Sequence, residues 1–485
     1  MRHLRRTLVF VAFAVLFLQT AFADTDKTIF VFSDTHVMAP SLLDSPTNKQ
    51  WKNDLANSKT MLDLSTTMFD LLVEKTLTEK PDMLLLVGDL TKDGEVESHQ
   101  YVRERLDKIR NEGIKVFVVP GNHDRGYMDT AYKYANDTST VAETFDNYSF
   151  PEFYKDYGFG NDTEQFDYTM SYITEPFPGL TLIGIDTGIW CWYREGTVDW
   201  ICQQAIAARK KGNQILVMQH HPLMPHYYSQ DELFELSTPE DYLEVRERFA
   251  NSGIRVVLSG HTHASDICRY TSTEGHDIFD INSGCPISYP CDFRILKLNG
   301  NTLKVTTHSL CDDMNLQDPK FSINAENRLM KAVKGWADRW LAKKNIINDF
   351  FTTELAYCFV IHAEGDEPEN PGSSNELAFF RIIHEIGARE LSEETVEMLG
   401  HVREIVKSML GDYQTPDEPD NIIKDRELTI DMTFNSTVGI HEIKSSDPNT
   451  DEWFTLQGVR LQGKPVQRGV YIHNGRVESV TSSQQ

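Results

Sequence analysis

Asp34 and His36 stand two positions apart. They are followed by Gly88-Asp89, Gly121-Asn122-His123-Asp124, His220-His221-Pro222 and Gly260-His261-Thr262-His263. These are metal-ligating residue types. Imidazole accepts zinc, iron and other transition ions, and carboxylate and amide oxygens favour harder ions such as manganese. At a strand end, residues i and i+2 share a face, so Asp34 and His36 can reach one ion. His261 and His263 have the same spacing and can serve one ion each or both. A bridging carboxylate holds two cations ~3.5–4 Å apart. Glycines 88, 121 and 260 suggest tight turns that present the next side chain. Ser33 has no base-and-acid arrangement around it, so a serine nucleophile has no support, and it reads as a structural polar residue.

Something must gather these residues. Short apolar runs at 28–33, 83–87, 115–119, 214–218 and 254–259 each read as a strand, and each is followed closely by one motif. Further strands are expected at 180–185, 278–281, 293–298 and 302–307, the last two joined by an Asn299-Gly300-Asn301 hairpin. Helical spacing covers 55–78, 101–111 and 198–209. Alternating strands and helices imply an α/β domain with much parallel sheet, and such sheets bind ligands outside the carboxyl ends of their strands. Residues 127–178, rich in Tyr, Asn, Asp and Phe, read as an insertion or long loops near the mouth of the site, with aromatics that either bind substrate or, as the default, pack on one another.

The ordered set DxH, GD, GNHD, His before x-Pro and GHxH resembles the calcineurin-like metallophosphoesterase superfamily over about 28–309. The resemblance implies a four-layer α/β/β/α sandwich and two metal ions (iron, manganese or zinc). It implies that Asp34, His36 and His263 hold one ion, that Asn122, His220 and His261 hold the other, and that Asp89 bridges them. His220 is preferred to His221 because the family ligand precedes x-Pro. His123 would face the phosphate, with Asn122 nearby, and protonate the leaving group, while Asp124 would orient His123. The reaction implied is in-line attack on phosphorus by a metal-bridging hydroxide.

Gly88-Asp89-Leu90-Thr91-Lys92-Asp93-Gly94 has Lys92 where purple acid phosphatases place a tyrosine, and GNHD where serine/threonine phosphatases and 5′-nucleotidases have GNHE. The set is most similar to the cyclic-nucleotide and glycerophosphodiester phosphodiesterases. A small phosphodiester is therefore the expected substrate. A phosphomonoester or nucleotide is the alternative, and a non-catalytic surface binding protein on the same scaffold is the contrasting class. Lys92, His99 and Arg125 lie close enough in sequence to contact a phosphate.

The 485 residues suggest more than one domain. Residues 1–23 have the form of a signal peptide: basic Arg2, Arg5 and Arg6, an apolar run over 8–18, and Ala21-Phe22-Ala23. The run is shorter than the ~20 apolar residues of a transmembrane helix, so export to the periplasm, cell surface or medium is expected. Residues 24–318 form the expected catalytic domain. A helical accessory domain is expected over 319–426, with helical periodicity at 323–343, 346–361, 377–389 and 392–410, and a small β tail over 427–485. His362 and His384 read as solvated helix residues. The net charge of −26 repels nucleic-acid duplex and favours solubility. Seven cysteines follow residue 23, without a CxxC pair; they read as buried thiols with one or two possible bridges.

Overall fold

The computed structural model describes residues 26–126, 130–146, 148–160, 162–166, 169–342, 349–365, 393–411 and 423–434, with 453–455, 460–461, 464, 469–473 and 476–480. The expected signal peptide, the helix expected over 377–389 and His384 lie outside these residues.

Two sheets carry the structure. The first runs β15 (Glu427–Asp431), β14 (Thr302–Ser309), β13 (Asp292–Asn299), β1 (Lys27–Phe32), β2 (Met83–Val87) and β3 (Lys115–Val119). The second runs β11 (Ile267–Thr271), β12 (Asp277–Asn282), β10 (Val256–Ser259), β9 (Gln214–Gln219), β8 (Leu180–Ile185), β7 (Tyr172–Phe177) and β6 (Glu164–Gln165). A separate hairpin joins β4 (Tyr132–Ala135) to β5 (Thr138–Val141). β1, β2 and β3 are mutually parallel, as are β8, β9, β10 and β12.

Alternation along the strands sets the layers. In the second sheet Leu182, Leu216, Met218 and Leu258 share a core with Phe30, Leu84 and Leu86 of the first. Their neighbours Ile183, Val217 and Val257 pack instead with Ile201, Ala205 and Phe249 of the helices Thr197–Lys211 and Tyr242–Ser252. Ser65–Glu79 and Val96–Asn111 contribute Phe69, Leu72 and Leu106 to the first sheet's core. The four-layer α/β/β/α sandwich is thus the observed fold.

Several expected elements differ. The helix expected over 55–78 is two, Lys49–Asn57 and Ser65–Glu79, and the break between them lets Lys59 and Thr60 line the cleft described below. Within 127–178, Tyr172–Phe177 pairs with β8 as a strand of the second sheet. The aromatics near it pack on one another, with His99 stacked on Phe145 at 4.6 Å and Phe150 tilted against Tyr154 at 4.7 Å. Residues 427–431, expected to open the β tail, instead pair with β14 as the edge of the first sheet. Helices Phe321–Ala342, Asp349–Glu364 and Glu393–Met409 share an apolar cluster including Leu341, Leu355, Phe359 and Val406. All seven cysteines are free thiols, and all but the half-buried Cys202 are buried.

The second compact unit comprises residues 274–276 and 434–485. Its described strands β16 (Trp453–Thr455), β17 (Arg460–Leu461), β18 (Gly469–His473) and β19 (Arg476–Val480) form one antiparallel sheet, with Trp453 stacked on His473 at 4.0 Å.

Arg294 of β13 is fully buried. It donates to the Asn282 carbonyl at the end of β12 (2.5 Å), to Thr307 of β14 and to the Asp425 carbonyl. One guanidinium therefore joins both sheets to the segment returning from the helices. Replacing it leaves several buried carbonyls without donors. Arg294→Met is expected to lower unfolding stability by about 3 kcal/mol or more, read from denaturant midpoints.

Candidate metal centre

Five of the parallel strands deliver the predicted donors. Asp34 and His36 follow β1, Asp89 follows β2, Asn122 to Asp124 follow β3, His220 follows β9, and His261 and His263 follow β10. The backbone at Asp34, His36, Asp89, His261 and His263 is left-handed, with φ of 53°, 39°, 51°, 72° and 65°. Such conformations cost non-glycine residues roughly 1–3 kcal/mol each and cluster where a site over-determines them. Two motif glycines make room for this. Gly88 has φ +88°, and a Cβ there would meet His220 Nδ1 at 2.5 Å. A Cβ at Gly260 would meet Ser33 Oγ at 1.8 Å and Asp34 Oδ2 at 2.6 Å.

The donors fall into two groups, Asp34 with His36 and His263, and Asp89 with His220 and His261. In the first, His36 Nε2 faces His263 Nε2 at 3.2 Å, and Asp34 Oδ1 lies 3.4 Å from His263 Nε2. Asp89 Oδ2 lies 3.7 Å from His36 Nε2 and 3.2 Å from His220 Nε2, so it faces both groups. His220 Nδ1 donates to the Val87 carbonyl at 2.9 Å, which turns the Nε2 lone pair inward. That atom lies 3.1 Å from Asn122 Oδ1 and 3.3 Å from His261 Nδ1. Of the adjacent histidines, His220 is therefore the one brought to Asp89. His221 turns away to Thr187 Oγ1 at 2.7 Å.

These residues fit a pair of cations. Asp34 Oδ1 is buried without a hydrogen-bond partner, although Oδ2 takes Ser33 Oγ at 2.5 Å and the His261 amide at 2.9 Å. Carboxylate, amide and imidazole atoms approach one another to about 3 Å, a spacing that protons hold together here and that cations could replace. The titration of the groups expresses the same demand. Burial opposes ionisation of Asp34, but His263 and His220 outweigh it and hold its pKa at about 2. Burial opposes the charged form of His220, but Asp89 and Asp34 push its pKa up to about 9.

His123 is placed differently. Its amide donates to Asp89 Oδ1 at 2.8 Å, and its half-exposed ring stands edge-on to His36 at 5.0 Å, facing the cleft. Asp124, expected to orient it, does not touch the ring. The turn Asn122–Asp124 carries that carboxylate back to the Gly121 amide (2.8 Å) and to Thr91 N and Oγ1 (3.0 and 3.1 Å). Asp124 thus locks the loop after β2 to the turn after β3. The imidazole is held instead by Asp93, whose Oδ1 accepts from Nδ1 at 2.8 Å and which is itself paired with Lys92. Burial disfavours the imidazolium, yet Asp89 and the Asp93 bond push the His123 pKa up to about 9.

Of the phosphate-contact candidates, only Lys92 lines the cleft. His99 is buried against the Asp124 carbonyl and Tyr154 Oη, and Arg125 is buried against Asp186. Lys59, which sequence reasoning passed over, stands at the cleft with its ammonium 5.3 Å from the Phe234 ring centre. An apolar pocket opens beside His263, walled by Phe234, Trp336 and Phe359.

This fold and site define a phosphoesterase-type metal centre, and residues 27–265 match the calcineurin-like phosphoesterase family. The chain carries this match over 239 of its 485 residues. It is similar to a "Probable cyclic nucleotide phosphodiesterase" of Vesicomyosocius okutanii, at 26% identity over 38% of this chain and 62% of the relative. It is also similar to the "Serine/threonine-protein phosphatase CPPED1" of Rattus norvegicus, at 27% over 39% of this chain and 55% of the relative. The chain therefore spans less than two thirds of these relatives' lengths. A solved dimetal phosphatase from Danio rerio is 14% identical, with a TM-score of 0.41 over 59% of this chain and 97% of that one.

Removing the carboxylate that orients a site imidazole typically lowers activity 10–100-fold. Asp93→Asn is expected to lower phosphoester turnover by about that factor while leaving metal content unchanged, as read by plasma mass spectrometry. His220→Ala is expected to lose bound metal and His221→Ala to keep it.

Proposed function

We propose that the protein hydrolyses a small phosphodiester at a two-metal centre. The observation that carries this reading is Asp89, which belongs to one donor group with His220 and His261 and also stands within 4 Å of the His36 nitrogen of the other. Asp34, His36 and His263 would hold one ion, and Asn122, His220 and His261 the other, with Asp89 shared. Bound ions would supply Lewis acidity and lower the pKa of a water nucleophile.

The chain's own residues do the rest. Tight, buried turns fix the donors before substrate arrives, so little reorganisation accompanies the reaction. Asn122 and His123 sit where a phosphate would lie against the centre. Asp93 holds His123 Nδ1, so Nε2 is the atom that delivers a proton to the leaving oxygen. Lys59 and Lys92 add positive charge to the cleft wall. The pocket between Phe234, Trp336 and Phe359 suits an apolar or aromatic ester group.

The preference for a diester draws support from the relatives named as cyclic nucleotide phosphodiesterases and from the GDLT, GNHD and GHTH motifs. Monoester hydrolysis is the second reading, favoured by the relative named as a protein phosphatase. We also propose an extracytoplasmic site of action, on the basic start and apolar run before Ala23. Amino-terminal sequencing of the fractionated protein, beginning at Asp24, is the expected result.

The deciding measurement is turnover of aryl and alkyl phosphodiesters, cyclic nucleotides and monoesters by protein supplied in turn with manganese, iron and zinc. Diester turnover is expected to vanish on chelation, return with added metal, and fall at least 100-fold in Asp89→Asn. A metal-loaded wild type inert towards every ester would sink the reading. Monoester turnover exceeding diester turnover would select the second one.

A further inference from the structure

A third group of donors lies outside the cleft. His226 is in the loop after β9, Asp266 immediately precedes β11, Cys268 lies within it, and all three are at most 2% exposed. A ring nitrogen, a carboxylate oxygen and the sulfur of these residues lie within 4.8 Å of one another. Asp266 Oδ2 is 3.4 Å from His226 Nδ1 and 3.5 Å from His362 Nδ1. His362 belongs to the helix Asp349–Glu364 and is buried at 5% exposure, not solvated as its helical setting suggests.

Neither oxygen of Asp266 and neither nitrogen of His226 has a hydrogen-bond partner. Burying such groups is costly unless something satisfies them. Asp280 supplies a further element. It takes Ser259 Oγ at 2.6 Å and the Leu223 amide at 2.6 Å, and its Oδ2 lies 3.4 Å from His226 Nε2. A carboxylate behind one imidazole nitrogen orients the other nitrogen towards a metal. Cys268 Sγ now points to the His226 and Pro225 carbonyls at 3.6 and 3.9 Å, and its proton would leave to solvent on ligation.

We propose that His226 Nδ1, Asp266, Cys268 and His362 hold a buried zinc ion, distinct from the two-metal centre. Sulfur, nitrogen and oxygen are the donor types zinc accepts, and His362, 3.5 Å from Asp266, would close in on the His226, Asp266 and Cys268 group to complete four-coordination. The ion would tie the Asp349–Glu364 helix to the strand that follows the Gly260–His263 motif. Being enclosed, it would load during folding and exchange slowly.

Cobalt separates this site from the other, because no cysteine stands among the donors of the two-metal centre. Full-length protein grown with cobalt in place of zinc is expected to show a thiolate-to-cobalt charge-transfer band in the near ultraviolet. Asp89→Asn should keep that band, so it survives even if the two-metal reading fails. Cys268→Ser should lose the band and one metal equivalent while retaining hydrolysis, and Cys285→Ser should keep the band. A wild type without the band, or a band that persists in Cys268→Ser, overturns the proposal; His226 is then an imidazolium between Asp266 and Asp280. If Cys268→Ser does not fold, the wild-type spectrum decides alone.

Discussion

Lone pairs on Asp34, Asp89, Asn122 and four imidazoles crowd into a small, largely dry volume, and they repel one another unless protons or cations lie among them. The surrounding architecture answers that requirement. The donors come from both sheets, so the sheets must bring the carboxyl ends of β1, β2, β3, β9 and β10 to one edge. Each strand must then turn sharply enough to aim a side chain back over its own end. The left-handed residues and the cramped glycines are the local cost of that aim. The shared core between the sheets is the reservoir that supports it.

A second tier of bonds converts this crowd into an ordered site. Val87 fixes the tautomer of His220, Asp124 pins two loops together, and Asp93 sets the ring of His123. Val87 and Asp124 are not among the residues that line the cleft, whereas Asp93 is. Their role is to remove freedom from the residues they hold. The helical region adds a wall: Trp336 and Phe359 complete a pocket that begins at His263. The aromatic wall of that pocket and the clustered donors therefore come largely from separate stretches of the chain.

Much of this was legible in the sequence because each motif directly follows an apolar run. Met83–Val87, fully buried, could hardly be anything but a central strand, and Gly88-Asp89 at its end could hardly point elsewhere. What escaped notice depended on long-range geometry. Asp124 is next to His123 in sequence, but a tight turn reverses its carboxylate, whereas Asp93 reaches the ring from another loop. His362 has ordinary helical spacing, and nothing local says that Asp266 lies beneath it. Residues 427–431 alternate like any short strand, and only the free edge of β14 decides where they pair.

That last pairing has a further meaning. The chain leaves the first sheet at Ser309, passes through the described helices, and returns at Glu427 to lie antiparallel beside the strand it left. The whole helical excursion is, in topology, an enlarged hairpin turn. The entropic cost of closing such a turn rises only slowly with its length. Length between the ties can thus vary at little entropic cost, while His362 against Asp266 and Asp425 against Arg294 hold the excursion to the strands beneath it. The scaffold is a hairpin whose turn has grown into a roof pinned at a few buried points.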